Sequence, residues 1–534
     1  MKRFGMIAAG GVVTILGLVW GLYVGQQFAE EEPEAKPEVP AALPNVLVIV
    51  WDTVRADRLS VYGYDRPTTP RIAKWAEGAR VYEEARSPGI WTLPAHASLF
   101  TGLPPESTGA DERWIWLDGQ HTTMSEWFGE HGYDTFAFAA NTLLSADTNL
   151  VQGFDTQWNT FKGRIAPMAR AMTQEKLIPR DVSNELTPGW VPPEHGETNA
   201  MWKRAVFKEA APLISGGFLK WIDERESEEP FFAFLNLMEA HTPRIPTMEG
   251  RRQVMDDEEL IELGLTTDAG HIALHFYNFG KHDYSDREIQ AINGVYDAAL
   301  VDLDNATADL FAALDERGIL DDTIVVLTAD HGENLGDHHL FNHRFALYES
   351  LLHVPLIIRY PKGMKAGRVE DPVTTLDVFA TLTDLAGIDT PDITSQSLLS
   401  GKRTPVSYMA VPLTREIKSV QRVHPDVDSA PWLRMGHAVV EDGYKLIRYS
   451  NDQHELFDLT IDPGELNNLY GSDPARQATL MAKIDAWNAA APPYDETLRT
   501  EDPKTVRSNQ QDLINQMKAL GYVFDDEEGD DEGE

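Results

Sequence analysis

Beyond Asn45 the chain alternates between short apolar runs and longer stretches of helical periodicity. Val46-Leu47-Val48-Ile49-Val50-Trp51 contains no polar position, as in a strand buried on both faces. Comparable runs follow at Phe136–Ala140, Phe231–Leu237, Ile324–Leu327 and Val354–Ile358. Between the third and fourth runs, Leu300, Leu303, Leu310, Phe311 and Leu314 fall on one helical face, and Gly318 is placed to stop that helix. Strands alternating with helices predict an α/β fold, a large, mixed but mostly parallel sheet sandwiched by helices. No internal repeat is visible.

The pattern changes at both ends. From about Trp432 the apolar runs become short: Ala438-Val439-Val440, Tyr444-Lys445-Leu446-Ile447 and Glu455-Leu456-Phe457-Asp458-Leu459. Asp442-Gly443 is a hairpin-turn dipeptide. This predicts a small C-terminal α+β unit, an antiparallel sheet followed by a helix. At the other end, Met1-Lys2-Arg3 precedes an uncharged run from Phe4 to Gly25, and about 20 apolar residues suffice to span a bilayer. The basic pair in front and Glu30-Glu31-Glu32 behind predict a cytoplasmic N-terminus with the rest of the chain outside. A cleaved signal peptide is the rival reading, and no small-x-small cleavage site follows the run. Gly17, Gly21 and Gly25 share a helix face, which allows a homodimer through paired membrane helices. The predicted organisation is an anchor or signal segment over 1–29, an acidic Pro-rich linker over 30–44, a catalytic domain over 45–430, a C-terminal unit over 431–524 and a disordered acidic tail over 525–534.

Charge narrows the partners. The 534 residues carry a formal net charge of −39. The tail and linker account for only part of it, so the folded surface is itself acidic. Such a surface repels nucleic acid and anionic lipid, and an anionic substrate needs a local positive centre. There is no cysteine, hence no disulfide, thiolate metal site or lipid-modified N-terminal cysteine.

In open α/β sheets, ligands bind beyond the carboxyl ends of the strands. Three predicted strands end in residues suited to a cation. The first runs into Asp52, the Thr323–Ala329 strand into Asp330-His331-Gly332-Glu333, and the Phe231–Met238 strand into Glu239-Ala240-His241. A strand-end Asp alone is usually a helix cap, and a lone His an ordinary buried imidazole. Together, from one sheet, they favour a divalent metal site. Asn141 ends a further strand and can line it. Thr92 precedes Pro94 and a helix predicted to begin near Ala95. A hydroxyl there lies where helix N–H groups attract anions, and a metal on its oxygen makes it a nucleophile. The bland alternative for Thr92 is an N-cap.

These pieces, taken in order, resemble the sulfatase family within the alkaline phosphatase superfamily. The matching motifs are Ile49 to Asp57 with Tyr62-Gly63-Tyr64; Trp91 to Gly102; Gly132-Tyr133-Asp134-Thr135; Phe231 to His241-Thr242-Pro243; Tyr296-Asp297; Asp321 to Glu333; Leu347-Tyr348-Glu349 with Val354-Pro355-Leu356; and Leu520-Gly521-Tyr522. The resemblance implies an alkaline-phosphatase-like fold and a metal-dependent ester hydrolase. It also places Thr92 at the family's nucleophile, in a motif that begins with a Cys or Ser oxidised to formylglycine. Here that motif reads Thr92-Leu93-Pro94-Ala95-His96. Thr cannot supply the aldehyde, and His96 stands where the family has Arg. Asp52, Thr92, Asp330 and His331 resemble one metal site of the alkaline phosphatases and of threonine-nucleophile phosphodiesterases. His343 replaces a family lysine. His338 and His343 are implied to contact substrate oxygens or a second metal, with a solvated loop as the alternative for His338. His241 is implied to stabilise charge or protonate the leaving oxygen.

The expected cofactor is Ca, Mg, Mn or Zn, and the expected substrate a small-molecule, glycan or lipid ester. The first functional expectation is sulfate-ester hydrolysis through Thr92. The alternatives are phosphodiester, phosphomonoester or phosphonate ester hydrolysis by the same site, and an envelope phosphoethanolamine-type transferase. The intact set of strand-end residues argues against a non-catalytic binding protein.

Overall fold

The computed structural model describes residues 43–161, 210–401, 404–410, 414–492, 494–501 and 506. The predicted anchor over 1–29, the linker up to residue 42, the Leu520-Gly521-Tyr522 motif and the acidic tail lie outside the described residues. Among those described, no helix is long and apolar enough to cross a membrane.

The apolar runs become strands of one eight-stranded sheet. In chain order these are β1 (Asn45–Trp51), β2 (Arg80–Tyr82), β3 (Asp134–Ala139), β4 (Thr156–Asn159), β5 (Phe231–Leu237), β6 (Thr323–Thr328), β7 (Leu356–Arg359) and β8 (Gly367–Val369). Across the sheet the order is β8-β2-β7-β6-β1-β5-β3-β4. β1 lies at the centre, paired in parallel with β5 and β6. β7 is the one strand that runs against both of its neighbours, β6 and β2; the remaining pairs are parallel.

The strands lack alternation because helices cover both faces. The helices used below are α1 (Thr92–Thr101), α2 (Met124–Glu130), α3 (Ala211–Glu224), α4 (Asp286–Glu316), α5 (Glu349–Leu352), α6 (Val378–Ala386) and α7 (Pro474–Ala490). Alternate residues of β5 show the two layers. Phe231 meets Phe218 and Trp221 of α3 edge-on. Phe232 stacks on Phe128 of α2 at 4.8 Å, and Phe234 packs against Phe100 of α1 at the same distance. On the α3 side, Trp51 at the end of β1 donates its indole N–H to Thr307 of α4 at 3.0 Å. α4 carries the predicted Leu300–Leu314 stripe, opens with a Ser285/Glu288 capping box and stops before Gly318, whose φ is +69°.

The C-terminal unit is a four-stranded antiparallel sheet of β9 (Val406–Met409), β10 (Gly436–Glu441), β11 (Tyr444–Tyr449) and β12 (Glu455–Asp458). Leu480 and Ile484 of α7 close its core over Val439, Leu446 and Leu456. Asp442 and Gly443 both take positive φ, as a two-residue hairpin turn requires. The sheet takes its first strand from upstream of Trp432. That strand is short and carries no turn signal linking it to the later ones, which is why the pattern alone did not reveal it.

Candidate active site

Three strands deliver acidic and imidazole groups to one edge of the sheet. Asp52 follows β1 and anchors its N–H on the Leu237 carbonyl at the end of β5, at 2.8 Å. Asp330 and His331 follow β6. Asp52, Asp330 and His331 are buried and each offers one ligand atom within 4.8 Å of the other two. Asp52 Oδ1, Asp330 Oδ2 and His331 Nε2 have no hydrogen-bond partner, although Asp330 Oδ2 and His331 Nε2 lie only 3.3 Å apart. Buried polar atoms are normally satisfied. Two carboxylates and an imidazole with converging, unsatisfied lone pairs fit a divalent cation.

The remaining oxygens of the two carboxylates are held firmly. Asn141 and Asn236 donate to Asp52 Oδ2 at 2.8 and 3.2 Å. The backbone N–H groups of Thr53 and His331 donate to Asp330 Oδ1 at 3.1 and 2.9 Å. Burial, reinforced by the Asp330 charge, pushes Asp52 up to about 7. Burial also pushes Asp330 up to about 7 against those backbone bonds. His331 is lowered by burial, and its Nδ1–H donates to the Gly332 carbonyl at 2.9 Å, leaving Nε2 as the lone-pair nitrogen. This second bond is characteristic of metal-binding histidines.

Thr92 is joined to this cluster through Asn141, whose Nδ2 lies 3.3 Å from Thr92 Oγ1. The helix starts earlier than the predicted Ala95. Thr92 is its first residue, Trp91 is its extended N-cap, and Trp91 makes no side-chain cap. Pro94 belongs to the first turn, where its missing N–H costs nothing. The helix N-terminus therefore lies at the Thr92 hydroxyl rather than three residues beyond it. His96, one turn on, donates Nδ1–H to the Thr92 carbonyl at 2.9 Å. It packs between Phe100 and Phe234, and burial lowers it to about 3. It is a neutral residue bracing the turn that carries Thr92.

A second layer of histidines adjoins His331. His343 lies against it with ring centroids 4.5 Å apart, and His241 lies 5.2 Å from His343. His241 donates Nδ1–H to the Thr242 carbonyl at 2.6 Å, so any proton it exchanges with a substrate moves at Nε2. His343 Nδ1 pairs with Glu333 at 3.1 Å, and the other Glu333 oxygen takes Arg244 at 2.7 Å. His338 is placed elsewhere. Its left-handed backbone (φ +51°) turns the ring onto Tyr348, stacked at 3.6 Å. Asp337, beside it, is pulled away to Arg55 at 2.7 Å. Burial lowers the His338 pKa there, opposed by the neighbouring Asp337 charge.

Several site residues were not singled out from the sequence. Asn236 had a signal, since it is the polar residue of the otherwise apolar strand Phe-Phe-Ala-Phe-Leu-Asn-Leu. Glu333 and Arg244 pair across sequence-distant loops. Thr53, at φ +61°, turns its N–H onto Asp330, and its carbonyl is held by the Tyr296 hydroxyl at 2.8 Å.

Comparison with known proteins identifies the family and the fold. A family model described as Sulfatase matches residues 44–388. A second, described as N-sulphoglucosamine sulphohydrolase, C-terminal, matches residues 336–487. Arylsulfatase K of Bos taurus is 24% identical over 477 residues, covering 83% of this chain and 81% of its own. An N-acetylglucosamine-6-O-sulfatase of Bacteroides thetaiotaomicron is 22% identical over 498 residues, covering 80% and 83%. Among solved structures, the phosphonate monoester hydrolase of Agrobacterium radiobacter shares the fold with a TM-score of 0.63 at 21% identity, covering 84% of this chain and 95% of that one.

Proposed function

The chain belongs to the sulfatase family and is an ester-bond hydrolase, and on that premise we propose that it cleaves sulfate esters in a metal-dependent reaction with Thr92 as nucleophile. The observation that carries the assignment is the Asn141 amide. It bonds Asp52 and reaches Thr92 Oγ1, tying the hydroxyl to the cluster of unsatisfied ligand atoms. Asp52, Asp330 and His331 hold one divalent cation (Ca, Mg, Mn or Zn), with the Thr92 oxygen as a further ligand. The imidazole favours Mn or Zn over the harder ions. When bound, the cation supplies positive charge to the ester's non-bridging oxygens and lowers the hydroxyl's pKa.

The chain's own residues do the rest. The uncapped N-terminus of α1 orients the anionic group over Thr92. Thr92 Oγ1 gives up its proton to solvent and forms a bond to sulfur as the bond from sulfur to the leaving oxygen breaks. His241, when doubly protonated, gives that oxygen a proton from Nε2. Water then attacks sulfur in the Thr92 ester, releasing sulfate and restoring the hydroxyl. His343, held by Glu333, occupies the lysine's place beside the reacting group.

One observation favours a second reading, hydrolysis of phosphonate or phosphate esters. Thr92 cannot become an aldehyde, so its ester must be resolved by another in-line attack. That attack is easier at phosphorus than at sulfur. The relatives are named for arylsulfates and for sulfated N-acetylglucosamine, and a small-molecule or glycan leaving group is the substrate class proposed here.

The test is a paired assay. EDTA-treated protein is reconstituted with Mn²⁺ or Zn²⁺ and offered 4-nitrophenyl sulfate and 4-nitrophenyl phenylphosphonate. Thr92→Ala lowers turnover on the preferred ester by several orders of magnitude while metal content is retained. Thr92→Ser keeps part of the activity. Wild-type turnover by Thr92→Ala on every ester cleaved would show that another nucleophile, such as water, does the work.

A further inference from the structure

The residues after His331 are held by a turn that is itself held from the C-terminal unit. Gly332 N–H donates to the Leu351 carbonyl at 2.7 Å, and Glu333 N–H to the Ser350 carbonyl at 2.9 Å. The Ser350 hydroxyl reaches Asn334 at 2.6 Å. The approach is close enough that a Cβ on Gly332 would lie 2.1 Å from the Ser350 oxygen. Ser350 and Leu351 belong to α5, a single turn that cannot stand alone in water.

The clamp on α5 comes from far along the chain. Glu465 Oε2 accepts the Glu349 N–H at 2.6 Å, the first N–H of α5. Its other oxygen lies 2.8 Å from Lys445 Nζ, and Lys445 binds the Glu349 carboxylate at 2.8 Å. Glu349 is fixed on its other side by Arg86 at 2.7 Å. Lys445 is completely buried. Glu465 is 3% exposed and sits at φ +54°. A non-glycine residue is kept in that conformation only when its surroundings over-determine it.

We infer that Glu465 is a positioning residue for the active site: by capping α5 and clamping Lys445, it sets the Gly332–Asn334 backbone and hence the aim of Asp330 and His331. This rests on the reading of Asp52, Asp330 and His331 as cation ligands. A bracing role in folding alone would lower stability and leave cation affinity unchanged. A positioning role changes affinity, because groups that orient ligands typically alter it by about 10–100-fold.

The test is calorimetric titration of the EDTA-treated full-length chain with Mn²⁺, for wild type, Glu465→Ala and Glu465→Gln. Thermal melts of the Mn²⁺-saturated proteins accompany it. Glu465→Ala removes both the cap and the Lys445 partner, and weakens Mn²⁺ binding at least about tenfold. Glu465→Gln retains one acceptor and so falls between alanine and wild type. Should Glu465→Ala fail to fold, Glu465→Gln alone decides, and a wild-type dissociation constant for it overturns the inference. Unchanged affinity in folded variants with lowered melting points overturns it too, leaving Glu465 a structural brace. A wild-type chain that binds none of Mn²⁺, Zn²⁺, Ca²⁺ and Mg²⁺ in the same titration overturns the cation reading itself, and this inference with it.

Discussion

Asp330→Asn is the substitution from which the geometry predicts an unusual pair of effects. In the metal-free protein, burial pushes Asp52 and Asp330 each up to about 7, and the Asp330 charge adds to the cost of ionising Asp52. Folded metal-free protein therefore binds more protons than the unfolded chain between about pH 4 and 7, so its stability falls as pH rises through that window. Above pH 7 the penalty is fully present. Raising one carboxyl from near 4 to about 7 corresponds to roughly 4 kcal/mol. Because the two groups interact, the gain from neutralising one is better put at about 2–4 kcal/mol. Asparagine suits the site sterically. Its oxygen can keep the bonds from Thr53 and His331, and its amide can donate to His331 Nε2, 3.3 Å from the present Oδ2. In EDTA at pH 8, Asp330→Asn is expected to be more stable than wild type by that amount, yet to lose activity and the stabilisation by Mn²⁺. Urea unfolding at pH 5 and pH 8, with EDTA or Mn²⁺, measures all of these. The Mn²⁺-dependent gain of wild type should grow with pH up to about 7. A metal-free Asp330→Asn protein less stable than wild type at pH 8 would refute the account of two carboxylates held in mutual repulsion.

Lys445→Met leaves Glu349 and Glu465 buried without their shared cation, and should cost about 3–5 kcal/mol in urea unfolding. His338→Ala removes a ring stacked on Tyr348 and should cost about 1 kcal/mol, with Mn²⁺ affinity equal to wild type by calorimetry; an affinity loss would return His338 to the site. Asn141→Ala frees Asp52 Oδ2 and the Thr92 hydroxyl together, and should lower kcat by at least about tenfold with a circular dichroism spectrum like that of wild type.

Much of this architecture was legible because it rests on local regularities. A strand covered on both faces has to be apolar throughout, so β1, β5 and β6 announced themselves, and the residues just past their ends marked the site. The cluster of Asp52, Asp330 and His331 could be anticipated for that reason. What stayed hidden depends on pairings between distant segments. Glu333 is fixed by Arg244 and His343, and Lys445 by Glu349 at the start of α5 and Glu465 far along the chain. Nothing near Lys445 in the sequence marks it as a buried cation in a strand. His338 takes a left-handed backbone and stacks on Tyr348, a pairing that nothing in the local sequence announces. The start of α1 was misplaced because Pro94 reads as a boundary, although its ring is tolerated within the first turn.

The reversal of β7 has a consequence for how much chemistry one loop can hold. Between parallel neighbours the chain must cross to the opposite edge before the next strand can begin, and it spends a helix doing so. β6 and β7 run in opposite directions, so residues 329–355 start and finish at the same edge, the one on which Asp52 lies. Residues spread along the segment therefore serve the site: Asp330 and His331 at its beginning, Glu333 and His343 in its middle, and α5, which holds the Gly332 and Glu333 backbone, near its end. A single backward strand turns what would have been a crossover into a workbench, and two of the three clustered ligand residues, Asp330 and His331, are mounted on it together with Glu333 and His343.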